Sequence, residues 1–97
     1  MTTGTTASGT YYLFNKKDLD VPIVFVHGVG LTHEIWQPQL EFFNYHSTLA
    51  YDILGHGKSS LENKEISFDD FSDQLIGLMD HLNIKKIHLV GFSIGSL

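Results

Sequence analysis

The chain has 97 residues, of which 42% are hydrophobic and 18% charged, and its formal net charge at pH 7 is −5. These values fit one small globular domain and exclude a disordered or strongly basic protein, so we expect neither nucleic-acid nor membrane-surface binding. The lack of cysteine excludes disulfides and thiolate metal sites. No apolar run approaches the ~20 residues of a membrane span, and no secretory signal pattern is present, so we expect a cytoplasmic protein.

The chain is expected to enter its domain through two strands. Residues 1–9 are rich in threonine and glycine and predict a flexible N-terminus, followed by a single domain over residues 10–97. Residues 10–14 are β-branched and aromatic, which favours a strand. After Pro22, residues 23–26 form a short, continuous apolar run of the kind found in buried parallel strands.

A helix is predicted over residues 32–43, because apolar residues recur there at intervals of three and four positions. The residues on this face are Ile35, Trp36, Gln39, Leu40 and Phe43. Pro38 falls near the first turn, where its missing amide hydrogen does no harm. A strand over residues 48–52 follows this helix.

The second predicted helix begins at Ser67, whose hydroxyl can cap it while Asp70 bonds back to the Ser67 amide. Its apolar face consists of Phe68, Phe71, Leu75, Leu78, Met79 and Leu82. The helix ends at Asn83, a strand covers residues 87–90, and a third helix is expected from Ser93. Strands that alternate with helices indicate the α/β class, with a mostly parallel sheet flanked by helices.

Three loops follow predicted parallel strands, and in such sheets sites form beyond the carboxyl ends of the strands. The first loop is His27, Gly28, Val29 and Gly30, whose glycines allow the backbone amides to turn inward. An ordinary glycine turn after a buried strand is an equal alternative. The second loop covers residues 52–59, and its glycine, lysine and serine resemble a phosphate-binding loop. That motif requires glycine at position 52, where this chain has aspartate, so it is excluded.

The third loop carries Gly91, Phe92, Ser93, Ile94 and Gly95, a G-x-S-x-G sequence directly after the last predicted strand. This is the pattern of a nucleophile elbow, a tight turn that lifts a serine hydroxyl clear of the sheet. Flanking glycines are needed because the turn crowds backbone against backbone. With the two preceding loops in the expected order, the pattern predicts a catalytic serine at position 93.

These residues resemble the α/β-hydrolase fold family of the HG-x type (AB hydrolase-1-like), and within it enol-lactonases and non-haem haloperoxidase-like esterases in particular. The resemblance is carried by His27 and Gly28, residues 36–40, residues 52–59 and residues 91–95. It implies a serine hydrolase that acts on small carboxylic esters, lactones or related acyl compounds, with neither a cofactor nor a metal.

The same resemblance assigns roles within the site. Ser93 is the nucleophile, and the backbone amides of Val29 and Ile94 form the oxyanion hole, where preorganised donors stabilise the negative oxygen of a tetrahedral intermediate. The residues that shape the site are His27, Gly28, Gly30, Gly91 and Gly95.

The acid and the histidine of the triad follow the nucleophile in this family, and only four residues follow Ser93. All six histidines precede it, and none has a carboxylate at a recognisable triad spacing, so none is assigned as the base. His27 and His56 are expected in the site loops, His88 in a strand, and the other three histidines at surfaces or helix ends. For His33 and His56, a role in lining the pocket is an alternative. We therefore expect the N-terminal portion of a hydrolase domain, truncated just after the elbow and nearly inactive alone.

Two alternatives remain open. Gly28, Gly30 and Asp52 also match the start of a dinucleotide-binding fold, except that His33 replaces the third glycine of that motif. The chain can also be a non-catalytic hydrolase remnant that binds a partner. The sequence leaves the oligomeric state open.

Overall fold

The computed structural model describes residues 1–17, 21–59 and 67–92. The strands in these residues are β1 (Thr2–Thr5), β2 (Tyr11–Asn15), β3 (Ile23–Val26), β4 (Thr48–Tyr51) and β5 (His88–Gly91). The helices are α1 (Gln37–Phe42), which directly follows a 3-10 helix at His33–Trp36, and α2 (Phe68–His81). None of the helices in the described ranges is both long and apolar enough to cross a membrane.

The strands form one mixed sheet in the order β1-β2-β4-β3-β5. β3 pairs in parallel with β4 and β5, whereas β2 pairs antiparallel with β1 and β4. The predicted α/β fold is confirmed, with its parallel part formed by β4, β3 and β5. Helices connect these three strands, and parallel neighbours need such crossovers, whereas a short turn suffices between the antiparallel β1 and β2.

The structure adds a strand within residues 1–9, the segment for which the sequence predicts flexibility. β1 pairs with β2 from Thr2 opposite Phe14 to Thr5 opposite Tyr11. The turn between them is closed by two backbone hydrogen bonds of 2.9 Å between Thr6 and the residues at positions 9 and 10. Threonine is β-branched and suits a strand, but the segment lacks the apolar alternation that would have revealed one.

The two central strands β3 and β4 are covered on both faces, which explains their continuous apolar sequences. On one face α2 packs over a cluster that contains Tyr12, Phe14, Val24, Val26, Leu49, Tyr51, Ile53 and Leu78. The other face carries a second cluster of Phe25, Trp36, Leu40 and Ala50. This two-sided packing fixes the carboxyl ends of β3 and β4, from which two of the predicted site loops emerge.

The first predicted helix is present, but it begins as a 3-10 helix. The hydroxyl of Thr32 accepts a hydrogen bond from the Glu34 amide at 3.2 Å and so caps this end. Pro38 has no N–H to bond the Glu34 carbonyl in α-helical fashion, so the Gln37 amide bonds that carbonyl instead. The α-helix proper therefore starts only at Gln37.

The second predicted helix is confirmed together with its capping box. The Ser67 hydroxyl accepts from the Asp70 amide at 3.3 Å, and the Asp70 carboxylate accepts from the Ser67 amide at 2.9 Å. Beyond the helix, Asn83 has a φ of 56°, a left-handed conformation that asparagine tolerates. Of the predicted apolar face, Phe68 is 65% exposed, while Leu78 lies in the core.

β5 lies at the edge of the described sheet. Its only described neighbour is β3, and its side chains are exposed or half-buried. The strand runs His88–Gly91, one residue later at each end than predicted. The third helix predicted from Ser93 lies outside the described residues.

Candidate active site

The described ends of three parallel strands meet at the carboxyl edge of the sheet, as the sequence predicts. β3 leads into the loop of His27 and Gly28, and β4 into the loop that begins at Asp52. At the end of β5, the Phe92 amide donates to the Val26 carbonyl at 3.0 Å, which sets this end beside the first loop. Of the predicted site residues, Ser93, Ile94 and Gly95 lie outside the described part of the chain.

His27 is a neutral, fully buried link between two loops. Its Nε2 accepts a hydrogen bond from the Ile53 amide at 3.0 Å, and because an amide can only donate, the ring proton must be on Nδ1. That Nδ1 donates to the Gly28 carbonyl at 2.8 Å. Burial lowers the pKa of His27 and outweighs the raising effects of the Gly28 carbonyl and of Asp52. Both ring nitrogens are therefore occupied by hydrogen bonds that link the loops after β3 and β4.

His56 supports the first loop in the same way. Its Nε2 accepts from the Gly30 amide at 2.9 Å, and its Nδ1 donates to the Leu54 carbonyl at 2.9 Å. Gly30 has a φ of 85°, which glycine adopts at no steric cost and which turns its amide toward His56. The ring of His56 also lies 5.5 Å from that of His27. His56 therefore links the Gly30 amide to the Leu54 carbonyl and holds the Gly28–Gly30 turn against the second loop.

Val29 is an exposed residue of this loop, and its amide is not used to close the loop. The loop is closed by the Leu31 amide, which donates to the Gly28 carbonyl at 3.1 Å, while the Gly30 amide is held by His56. Within the described residues, the Val29 amide takes part in no hydrogen bond of the loop, and the residue is 58% exposed. An exposed amide without a partner in its own loop is compatible with the oxyanion role that the sequence resemblance predicts for Val29.

Asp52 organises the second loop from a fully buried position. Its Oδ1 accepts from the amide and the Nδ1 of His33 at 2.7 and 2.8 Å, and its Oδ2 accepts from the Lys58 amide at 2.8 Å. Burial raises the pKa of Asp52, but the hydrogen bonds from Lys58 and His33 and the nearby imidazole together hold that pKa below its ordinary value. The carboxylate therefore stays ionised and ties the loops after β3 and β4 together.

His33 corrects a sequence-based prediction, because it does have a carboxylate partner in Asp52. The two are 19 positions apart, and only the fold brings them together. The pair lies on the β2 side of the sheet rather than beside the end of β5. His33 packs on the ring of Tyr11 at 5.3 Å, and Tyr11 belongs to β2. In the sheet order β2 is three strands from β5, which is about 14 Å at a strand spacing of about 4.8 Å.

Two polar residues complete this edge, and the sequence reasoning assigned them no role. The buried Gln74 of α2 accepts from the Leu54 amide at 3.0 Å and donates to the Asp52 carbonyl at 3.0 Å and the Thr10 hydroxyl at 3.2 Å. Ser59 donates to the same Asp52 carbonyl at 2.5 Å and accepts from the Tyr11 amide at 3.0 Å. The available signal was a glutamine within the apolar face of α2, where a buried amide needs partners.

The dinucleotide-binding alternative does not fit this arrangement. In the strand order of that fold, the third parallel strand lies beside the second, whereas here β5 pairs with β3, the first. The fold also needs an acidic side chain that can bind ribose. Asp52 is 0% exposed, and both of its oxygens already accept hydrogen bonds.

Comparison with known proteins agrees with the fold. The family model described as alpha/beta hydrolase fold matches residues 21–97. The (E)-2-((N-methylformamido)methylene)succinate hydrolase of Acinetobacter baylyi is 39% identical over 77 residues, which are 78% of this chain and 29% of that protein. The 3-oxoadipate enol-lactonase 1 of the same organism is 35% identical over 77 residues, or 77% of this chain and 28% of that protein.

Solved structures give the same result. The crystal structure of the enol-lactonase from Burkholderia xenovorans matches with a TM-score of 0.88 at 25% identity, over 99% of this chain and 38% of that one. The chain thus spans less than two fifths of the length of each of these three relatives.

Proposed function

The chain belongs to the α/β hydrolase fold family, and on that basis we propose that it supplies the nucleophile and the oxyanion loop of a serine hydrolase. Its substrates would be small carboxylic esters, lactones or related acyl compounds. The relatives at 39% and 35% identity are named a hydrolase and an enol-lactonase, which supports this substrate class.

One observation carries the proposal. The Phe92 amide is bonded to the Val26 carbonyl, so the residue before Ser93 lies beside the residue before His27. The G-x-S-x-G sequence therefore continues from a strand end that lies beside the start of the loop that carries Val29. A nucleophile there and a free amide across the loop are the two parts that acyl transfer requires.

In the proposed reaction, the Ser93 hydroxyl attacks the acyl carbon while its proton passes to a base. The carbonyl oxygen becomes negative and is stabilised by the amides of Val29 and Ile94. Each such donor typically contributes on the order of 10²–10³ in kcat. His56 contributes indirectly, because its bond to Gly30 fixes the turn that presents Val29.

No described histidine is placed to act as that base. His27 and His56 each accept an amide hydrogen at Nε2, and His33 is held on the β2 side of the sheet. His46 lies two residues before β4 and His88 is the first residue of β5, both at the opposite edge, and His81 ends α2 with its ring 5.9 Å from that of Tyr12. We therefore propose that the chain alone turns over ester substrates on the order of 10⁴–10⁶ more slowly than a hydrolase with a complete triad.

The test places residues 21–97 in the corresponding segment of the Acinetobacter baylyi 3-oxoadipate enol-lactonase 1, whose remaining sequence would provide the acid and the histidine. We expect this chimera to hydrolyse p-nitrophenyl acetate and the Ser93→Ala chimera to lose that activity. The matched control is Ser72→Ala, an exposed serine on α2, which should leave the rate unchanged.

Labelling with a fluorophosphonate separates catalysis from the remnant alternative. A folded chimera that is labelled at Ser93 supports the proposal. A folded chimera that is neither labelled nor active supports a non-catalytic remnant instead, and activity that survives Ser93→Ala would refute Ser93 as the nucleophile.

A further inference from the structure

A second cleft lies at the opposite edge of the sheet from the candidate active site. It has a volume of about 350 Å³ and opens beside the amino ends of β3, β4 and β5. Four lysines line it, and we call it the lysine cleft after them: Lys16, Lys17, Lys85 and Lys86. Neither the hydrolase motifs nor the proposed reaction uses this surface.

The charge of the lysine cleft stands out against the rest of the chain. The chain has six basic residues and a net charge of −5, and four of the six line this one cleft. No acidic residue is among its described lining residues. Among the described residues, none of the four lysines forms an ion pair. Like charges gathered in one concavity repel one another and attract a compensating anion.

Both walls of the cleft are anchored by hydrogen bonds. On one side, Ser47 accepts from the Lys17 amide at 2.7 Å and donates to the Lys17 carbonyl at 2.8 Å. On the other, the Ile84 amide bonds the Met79 carbonyl at 2.8 Å and the His88 amide bonds the Pro22 carbonyl at 2.8 Å. The backbones that carry the two lysine pairs are therefore held in place relative to the cleft, even though the four side chains are exposed.

Between the lysines, the lining is largely apolar. Its hydrophobic members are Phe14, Val21, Pro22, Leu82 and Ile84. A volume of about 350 Å³ is at the lower end of the range of about 300–1,000 Å³ that is typical of small-molecule sites. This size suits a small molecule better than a nucleic-acid duplex, and the apolar lining suits one with a hydrophobic body.

We propose that the lysine cleft binds a small organic anion that carries at least two negative charges and an apolar body, such as an aryl or alkyl phosphate monoester. The phosphate would lie among the four ammonium groups, and the hydrocarbon part would contact the apolar lining. Lysine is a common partner of phosphate. The site is independent of Ser93, so it stands whether or not the chain supports hydrolysis.

The test titrates the 97-residue chain with 1-naphthyl phosphate and follows backbone amide shifts by NMR. We expect saturable shifts around Val21 and Ile84, and much weaker effects from inorganic phosphate or 1-naphthol. The paired substitutions Lys85→Gln/Lys86→Gln and Lys16→Gln/Lys17→Gln should each weaken binding about tenfold, or about 1.4 kcal/mol.

Lys58→Gln is the matched control. Lys58 lies at the other edge of the sheet, with its Nζ 4.8 Å from the centre of the Tyr11 ring, so its substitution should leave the affinity unchanged. Circular dichroism of each variant establishes that it is folded.

Three outcomes overturn the proposal. The first is the absence of saturable shifts in the folded parent, and the second is equal affinity in the parent and in both lysine-pair variants. The third concerns Asp18 and Asp20, which neighbour Lys17 in sequence. If binding is seen only after Asp18→Asn/Asp20→Asn, the aspartates neutralise the cleft in the native chain. Equal binding of inorganic and naphthyl phosphate would refute the apolar part of the assignment.

Discussion

At the residue scale, two histidines of the candidate site, His27 and His56, each accept a hydrogen bond from a backbone amide of the other loop. His27 accepts from Ile53 and His56 from Gly30, and each of these bonds joins residues 26 positions apart. In each ring, one nitrogen accepts and the other donates a hydrogen bond, so both nitrogens are occupied by links within the protein. The two rings therefore position the loops.

The lowered pKa of His27 predicts that the free energy of unfolding decreases as the pH is lowered. Because the pKa of His27 is lowered in the folded state, between pH 7 and 5 the unfolded chain binds a proton at this residue that the folded chain does not. The free energy of unfolding should therefore be smaller at pH 5 than at pH 7. Below about pH 4 it should fall again as Asp52, whose pKa is also lowered, becomes protonated.

Urea denaturation at pH 7 and pH 5 measures the effect. In His27→Gln the amide oxygen can still accept from Ile53 but cannot titrate, so the difference between the two pH values should shrink. An unchanged difference in this variant would mean that His27 carries a proton in the folded chain.

At the element scale, we expect replacement of glycine by alanine to destabilise the Asp52 loop and to stabilise α2. Gly57 has a φ of 50°, and a Cβ added there would collide with the Asp52 carboxylate, which is itself fixed by three hydrogen bonds. Gly77 lies inside α2, and an added Cβ would meet nothing within 4 Å.

We therefore expect Gly57→Ala to lower the free energy of unfolding by about 2–3 kcal/mol and Gly77→Ala to raise it by about 0.5–1 kcal/mol. Thermal or urea unfolding of the two variants beside the parent measures both values. Equal stability of Gly57→Ala and the parent would show that the Asp52 loop can relax without cost.

At the scale of the whole molecule, the described sheet presents an open edge at β5. Leu89 is 54% exposed and Phe92 is 55% exposed, and no described strand covers the side of β5 that faces away from β3. Exposed strand edges with apolar side chains favour association. We expect the chain to associate in a concentration-dependent way.

Sedimentation velocity across a range of protein concentrations tests this expectation. Leu89→Lys places a charge on the edge and should shift the chain toward monomer, whereas Ile76→Lys, on the exposed surface of α2, serves as the control. A parent chain that remains monomeric at every concentration would contradict the prediction.

Much of the fold was predictable because its signals are local. The apolar run of β3 and the Ser67 capping box are each contained within a few consecutive residues, so propensity and periodicity are enough to identify them. β1 was missed because its threonine- and glycine-rich sequence carries no apolar pattern. The early 3-10 segment was missed because it depends on the one amide that Pro38 lacks.

The sequence by itself determined the class of the fold, the order of the loops and the candidate nucleophile, since each of these is written in contiguous residues. Only the tertiary structure decided which side chains meet. The contact of His33 with Asp52 and the bridge from Gln74 to Thr10, 64 positions away, depend on the order of the strands in the sheet. A hydrophobic pattern reports that a residue is buried, but its partner is set by which strand lies alongside, and that information is not local.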